Sequence, residues 1–338
     1  MREGKLVVAV VGCGAVSRNH GKAIASSKAA VLKYAVDIDL EKAKAFSGTY
    51  GGEPTDDYEK VLRDSEVDVV HVVTPHFTHP ELAIRAMEAG KDVFCEKPLA
   101  IHVSDAKRMI RVSEKTGRKL NVCFQNRLND SSIEAKRLIE EGTYGKVLSA
   151  AALVRWDRGG TYYTESPWRG RYETEGGSCI INQSIHTLDL LQYLCGRVTA
   201  LSAVDAHLRD TKDYETEDSV MANFRFENGA TAVGAFTNCA TGFKTARVEI
   251  VLEQARLTVE QGGLAIDLPD GRKIVHASAV AHGAKSEWGL SHGKMIEAFY
   301  ASILRGTPVP VDGRAALEAV KIVNAIQYSK GREVLLEK

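Results

Sequence analysis

Three groups of residues in this chain have the types and spacing to do chemistry. The first is Glu96-Lys97-Pro98, directly after the apolar run VFC. Proline fixes its own φ and pushes the preceding residue toward extended backbone, so Lys97 stands on a stiff stretch where a strand ends. Such a lysine is either a surface charge reaching into water or a cation held for a reaction, acting as a base if burial lowers its pKa. The second group is EGGSCIINQSIHTLDLLQYLCG, residues 175–196. On an α-helix Asn182, His186 and Asp189 fall at i, i+4 and i+7 and share one face, while Ile181, Ile185, Leu188 and Leu191 form the packing side. An exposed polar face on an amphipathic helix explains the same stripe. The third is the turn GCGAVS, residues 12–17, after an apolar run and before a helical pattern. Gly12 permits the tight turn, Gly14 lets backbone approach a pyrophosphate, and the small Ser17 stands where a third glycine usually sits. With Ala15 and Val16 these residues put a helix N-terminus against an anion. Asp37, at the end of the next apolar run, hydrogen-bonds ribose hydroxyls and repels a 2′-phosphate, and neighbouring Ile38 and Asp39 supply no cation. The turn therefore predicts a dinucleotide, NAD in preference to NADP.

These groups need elements to position them. Val-rich runs at residues 5–11, 32–36, 67–73, 91–95 and 119–124 alternate with helical patterns. Such runs suit strands buried on both faces, and the alternation predicts a doubly wound parallel α/β Rossmann sheet. The clearest helix is HPELAIRAMEAG, with Leu82, Ala83, Ala86 and Met87 on one stripe and Gly90 as its stop. Ligands of such sheets bind beyond the carboxyl ends of the strands, which adds Thr74, Pro75, His79, Glu96 and Lys97 to the cofactor site. His76 and His79 share metal-ligand spacing, but no third ligand accompanies them, so no metal is expected. From about Gly145 the pattern changes to strand candidates joined by turns such as Glu227-Asn228-Gly229. They predict a C-terminal α+β domain with a mostly antiparallel sheet open on one face, and hence a homodimer or homotetramer. The division is 1–124 and 125–338, with the last helix available to pack back on the first domain.

Composition narrows the partners. The 338 residues carry 44 basic and 44 acidic side chains, so no net field gathers nucleic acid or an anionic membrane. Six cysteines form no C-x-x-C pair, which reads as reduced thiols in the cytoplasm. The start of the chain passes directly into a strand pattern with no signal-peptide core, and no apolar run is long enough to span a bilayer. Residues 155–177, RWDRGGTYYTESPWRGRYETEGG, offer rings and guanidiniums to a sugar. Trp156, Tyr163, Trp168 and Arg169 are the candidates there, with Arg169 and Arg171 also suited to a carboxylate or phosphate. Loop packing or a subunit contact accounts for the same composition equally well.

Taken together these residues resemble the Gfo/Idh/MocA oxidoreductases, the family of glucose-fructose oxidoreductase and inositol dehydrogenase. The resemblance rests on the turn at residues 12–17, Asp37, the stretch 74–100 with its E-K-P, FQNR at 124–127, the GG…N…H…D run at 176–189 and VDGRAALEAV near the end. It implies an N-terminal Rossmann domain, with Asn126 joining the cofactor contacts, and a C-terminal domain whose sheet mediates oligomerisation. It also implies transfer of a hydride between NAD and a secondary alcohol of a sugar, cyclitol or related polyol, with Lys97, His186 and Asn182 at the reacting carbon. One departure is that family members often carry aspartate where this chain has Asn182; an amide hydrogen-bonds a hydroxyl but takes no proton. Lys97 and His186 then remain for proton transfer. Two other readings stay open: a glycosidase or lyase that returns the hydride to its substrate within one turnover, and a non-catalytic dinucleotide-binding sensor.

Overall fold

The computed structural model describes residues 4–242, 244–260, 262–277 and 291–337. The chain forms two compact units, residues 1–125 with 292–317, and residues 126–291 with 318–338. The first unit thus recruits most of the helix Ser291–Arg305, which a division at residue 124 leaves with the second.

In the first unit six strands, β1 (Leu6–Val11), β2 (Ala30–Val36), β3 (Glu53–Thr55), β4 (Val69–Val72), β5 (Asp92–Cys95) and β6 (Leu120–Val122), lie in the order β3-β2-β1-β4-β5-β6. Every pairing is parallel. The central β1, LVVAVV, is buried along its whole length, as a strand covered on both faces by helices must be. The chain winds outward one way through β2 and β3, then returns to β4 on the other side of β1. The crevice between the β1 and β4 carboxyl ends is therefore the topological switch point. Strand β3, read only as EPT, has no apolar run to announce it and is an edge strand. Helix starts follow the side chains: Asp39 accepts from the Glu41 N–H and Asp57 from the Lys60 N–H. Helix His79–Glu88 buries Ala83, Ile84, Ala86 and Met87, and Gly90 follows it at φ +79°.

Among the described residues the second unit is built on nine strands: β7 (Val147–Arg155), β8 (Val198–Ala206), β9 (Ser219–Phe226), β10 (Thr231–Thr237), β11 (Thr245–Leu252), β12 (Arg256–Glu260), β13 (Gly263–Asp267), β14 (Lys273–Ala277) and β15 (Val334–Leu335). Their order is β14-β13-β12-β11-β7-β10-β9-β8-β15, antiparallel except where β10 runs parallel to β7. Burial alternates residue by residue along β9 and β10, so one face is packed and the other open. The packed face carries the helix expected around residues 178–195, but that element is not uniform. A π-helical turn, Cys179–Ser184, precedes an α-helix, Ile185–Cys195. All of its residues except Tyr193 are buried, which excludes the reading of an exposed polar face.

The start of the π turn is held by a buried acid. Glu217 accepts from the N–H groups of Ser178 and Ile180 through Oε1, and its Oε2 is buried with no hydrogen-bond partner among the described residues. Burial pushes this carboxyl from an ordinary 4.5 up to about 7, the two N–H bonds offsetting only part. Since the folded chain keeps a proton that the unfolded chain has released, its stabilising share is complete below about pH 4.5 and is lost as pH rises through about 7. That share is about 3 kcal/mol. Urea titrations at pH 4 and pH 8 should show Glu217→Gln losing about 3 kcal/mol less stability over that interval than the unchanged chain; equal losses would refute the proton assignment. Gly12 supplies a second test. It sits at φ +96°, and a Cβ there would lie 2.4 Å from the Val73 carbonyl oxygen. Gly12→Ala should lower unfolding stability by about 2 kcal/mol or more, and an unchanged urea midpoint would mean that the β1 and β4 ends are free to separate.

Candidate active site

The first unit gathers its chemistry on one rim. The Gly12 turn follows β1, Thr74-Pro75 follows β4 and Glu96-Lys97-Pro98 follows β5. Gly12 has no room for a side chain against Val73. His79 then ties the second loop to the third, with Nδ1 2.7 Å from the Pro98 carbonyl and Nε2 2.9 Å from the Thr74 carbonyl. Both ring nitrogens are engaged by backbone and the ring is fully buried, so His79 fastens one loop to the other. Two carbonyls favour the imidazolium, but burial is the larger effect and holds its pKa below the usual histidine range.

The residues of the turn fit a dinucleotide. Among the described residues, none accepts a hydrogen bond from the N–H groups of Gly14, Ala15 or Val16, which lead into helix Ser17–Ser26. A Cβ on Gly14 would meet no protein atom, so the missing side chain serves space outside the protein. Free N–H groups at a helix start and clear space beside them suit a pyrophosphate. Ser17 closes the turn, donating to the Gly14 carbonyl at 2.6 Å. Asp37 is oriented by the N–H groups of Cys13 at 2.8 Å and Asp39 at 3.0 Å, one on each oxygen. Each carboxylate oxygen keeps capacity for a further donor, as ribose hydroxyls require.

Glu96 is only 6% exposed and turns away from the rim. It accepts from His20 Nε2 at 3.0 Å and from the Lys97 N–H at 3.2 Å, with His292 Nε2 at 3.6 Å. Burial alone would raise its pKa, but His20 and His292 outweigh it and hold the carboxyl well below the usual range. The chain of hydrogen bonds continues from His20 to His71 at 2.8 Å and from His71 to the Tyr300 hydroxyl at 3.0 Å. Glu96 therefore anchors the loop from which Lys97 leaves. Lys97, joined to Pro98 by a cis peptide, is half-buried between buried neighbours. Neither His20 nor His292 was singled out in the sequence. A histidine inside the apolar run VDVVHVV was the one available signal that buried polar pairing awaited. Glu96, Cys123 and His292 also bring ligand-type atoms within 4.8 Å of one another, but burial and Glu96 keep the Cys123 thiol protonated.

In the second unit the π turn changes the geometry assumed for an α-helix. Asn182 and Gln183 both bond back to the Ser178 carbonyl, so i, i+4 residues no longer align across the turn. Asp189 and Asn182 have separate partners. Asp189 makes a two-pronged pair with Arg127, at 2.6 and 2.8 Å, which links FQNR to the helix. Burial pushes the Asp189 carboxyl up and Arg127 offsets part of that; removing one partner of such a buried pair costs about 3–5 kcal/mol. Asn182 donates to Glu175 Oε1 at 2.5 Å and to the Tyr162 hydroxyl at 3.1 Å. His186 is buried on the helix immediately after the turn. Asn126 opens this unit with its side-chain oxygen buried and unbonded among the described residues.

The aromatic loop divides differently from the expectation. Tyr163 is 2% exposed, stacks on Tyr214 and bonds Ser178 and Asn238, and Trp156 is 3% exposed. Both rings are buried against protein atoms. Trp168 and Arg169 stay half-buried, while Arg171 sits 3.6 Å from Glu215. The residue that spacing missed is Tyr162, whose hydroxyl takes hydrogen bonds from Asn182 and Gln183. In a Tyr-Tyr pair only tertiary contacts tell which ring packs and which faces polar partners.

Comparison with known proteins agrees with this arrangement. Residues 6–124 match an oxidoreductase family with an NAD-binding Rossmann fold, and residues 133–258 match the C-terminal domain of the same family. The chain is 26% identical to inositol 2-dehydrogenase of Rhizobium meliloti, with 94% of each chain covered. It is likewise 26% identical to levoglucosan dehydrogenase of Pseudarthrobacter phenanthrenivorans, with 97% of each covered. Among solved structures, the WlbA dehydrogenase from Bordetella pertussis in complex with NADH and UDP-GlcNAcA shares 28% identity and a TM-score of 0.85 over 99% of both chains. A glycine turn whose residues fit a dinucleotide, an oriented acid after the second strand and matches across both units lead to one conclusion: the chain belongs to the Gfo/Idh/MocA family of NAD-binding oxidoreductases.

Proposed function

We propose that the protein is an NAD-dependent dehydrogenase acting on a secondary alcohol of a sugar, cyclitol or related polyol. The observation that carries the reading is Lys97, a half-buried cation on the same rim as a turn with three unspent N–H groups, its backbone held by Glu96. The named relatives that act on an inositol and on levoglucosan support the substrate class. NAD, when bound, supplies the hydride acceptor. Lys97 holds the substrate oxygen and stabilises its developing negative charge, as a fixed cation does best in a site screened from water. His186 takes the hydroxyl proton, since imidazole titrates near neutrality. Asn182, its amide nitrogen bonded to Glu175 and Tyr162, contributes its carbonyl oxygen to a substrate hydroxyl. Rigidity at Lys97 matters because small misplacement of a reacting group forfeits much of the rate.

A screen of sugars and inositols for NAD reduction identifies the substrate. With it, Lys97→Ala should lower turnover by about 100-fold or more while calorimetric NAD affinity changes less than about threefold. Turnover near that of the unchanged protein would remove Lys97 from the reaction.

The reading extends to assembly and compartment. The open face of the second sheet exposes Val204, Met221 and Val233, at 56%, 69% and 56%, on neighbouring strands β8, β9 and β10. Apolar residues grouped on an open sheet favour a second copy of the chain, as a homodimer or homotetramer. All six cysteines are free, in keeping with the cytoplasm, and no described helix is long and apolar enough to cross a membrane. Sedimentation should find an oligomer that Met221→Asp with Val233→Asp converts to monomers; a monomer before substitution contradicts the assembly.

A further inference from the structure

Around Tyr162 the second unit collects hydrogen-bond donors in excess of acceptors. Asn182 Nδ2 and Gln183 Nε2 donate to the Tyr162 hydroxyl oxygen at 3.1 and 2.8 Å. Both lone pairs of that oxygen are then filled, so its own hydrogen must be donated elsewhere. Among the described residues nothing accepts it. Two guanidiniums lie over the same ring, Arg169 at 4.2 Å from its centre and Arg158 at 5.3 Å. Arg158 donates through Nε to Gln183 Oε1 at 3.0 Å. Arg169 donates through Nη1 to the Tyr162 carbonyl at 3.0 Å, and its Nε is buried without a partner among the described residues.

Neither guanidinium pairs with a carboxylate among the described residues, although the chain's other buried or half-buried arginines commonly do. The acids nearby are otherwise engaged. Asp157 bonds Arg209 at 2.5 Å, and Glu175 accepts from Gly170 N and Asn182. Burial raises Glu175 to about 7, so near neutrality it carries only part of a negative charge. Two cations and a directed hydroxyl therefore lie beside a weakened acid, Glu175, with neither guanidinium held in an ion pair among the described residues.

We infer that the substrate carries an anionic group, a carboxylate or a phosphate, that Arg158 and Arg169 receive together with the Tyr162 hydroxyl. This rests on the dehydrogenase reading and narrows it from neutral polyols to acidic or phosphorylated sugars. A guanidinium presents paired donors to such oxygens, and each charge-assisted bond is stronger than a neutral one. Tyr162 acts as a specificity residue, its hydroxyl turned toward the anion by the two amides that fill its other side.

The test compares matched probes on the NAD-loaded protein: glucuronate, galacturonate and gluconate as carboxylates, phosphorylated glucose as the phosphate, and glucose, galactose and myo-inositol as neutral counterparts. Calorimetric binding and NADH formation are both read. Acidic members should be preferred by about tenfold or more, and Arg158→Gln with Arg169→Gln should erase the preference, lowering kcat/KM for the acids by about 10- to 100-fold. Tyr162→Phe, which keeps the ring and disturbs packing least, should lower the same ratio for the acids by more than for the neutral probes. The carboxylate and phosphate arms tell which anion is taken. NAD reduction by neutral members alone would leave the dehydrogenase standing and overturn the anionic substrate. Arginine-dependent binding of acids with no NADH from any probe would do the reverse. A preference for acids that survives both substitutions, or the absence of any acid binding, overturns the inference.

Discussion

A carboxylate cut off from water is tolerable only when its oxygens are hydrogen-bonded, and Glu96 organises the first unit by that requirement. Its partners come from three separated parts of the chain: His20 in the first helix, the Lys97 N–H in its own loop, and His292 in a helix that arrives almost two hundred residues later. His71 and Tyr300 extend the same chain of bonds into the core. A single buried charge thus binds the late helix to the sheet and fixes the backbone from which Lys97 leaves. The acid and the lysine look like one polar pair in sequence; in the fold the acid is buried among histidines while the lysine stays half-buried.

The second unit uses comparable physics with different partners. Its central helix is buried almost all round, yet carries Asn182, His186 and Asp189. An apolar helix would pack there at lower cost, so each polar group needs a dedicated counterpart. Arg127 answers Asp189, Glu175 answers Asn182, and Glu217 answers the N–H groups opening the π turn. The π turn in turn sets Asn182 and Gln183 side by side on the Tyr162 hydroxyl, which no regular α-helix would do for adjacent residues.

Much of this was legible beforehand, for reasons that can be named. Strands covered on both faces must be apolar throughout, so LVVAVV and VDVVHVV announce a parallel sheet; the glycine turn is legible because a backbone that meets both Val73 and open space has few alternatives to glycine. EPT was not legible as a strand, since an edge strand of three residues needs no pattern. His79 and Glu96 are legible as loop residues of the rim, but not the bonds they make there. Sequence position says which rim a residue belongs to, whereas hydrogen-bonding capacity already spent on Pro98, Thr74 and His20 is a property of the folded chain. Tyr163 was chosen over Tyr162 because two adjacent tyrosines are identical until a neighbour such as Tyr214 covers one of them.

By itself, then, the amino-acid order determined the periodic and the local: which segments alternate as strand and helix, where the turn must be glycine, which acid follows the second strand, and which lysine precedes a proline. These follow from steric limits and hydrophobic burial acting over a few residues. Tertiary structure decided the partnerships: the histidine chain beneath Glu96, the Arg127–Asp189 pair, the shifted register of the π turn and the donor-rich surroundings of Tyr162. Those depend on desolvated charges finding partners tens to hundreds of residues away, and no short-range pattern encodes which partner will be found.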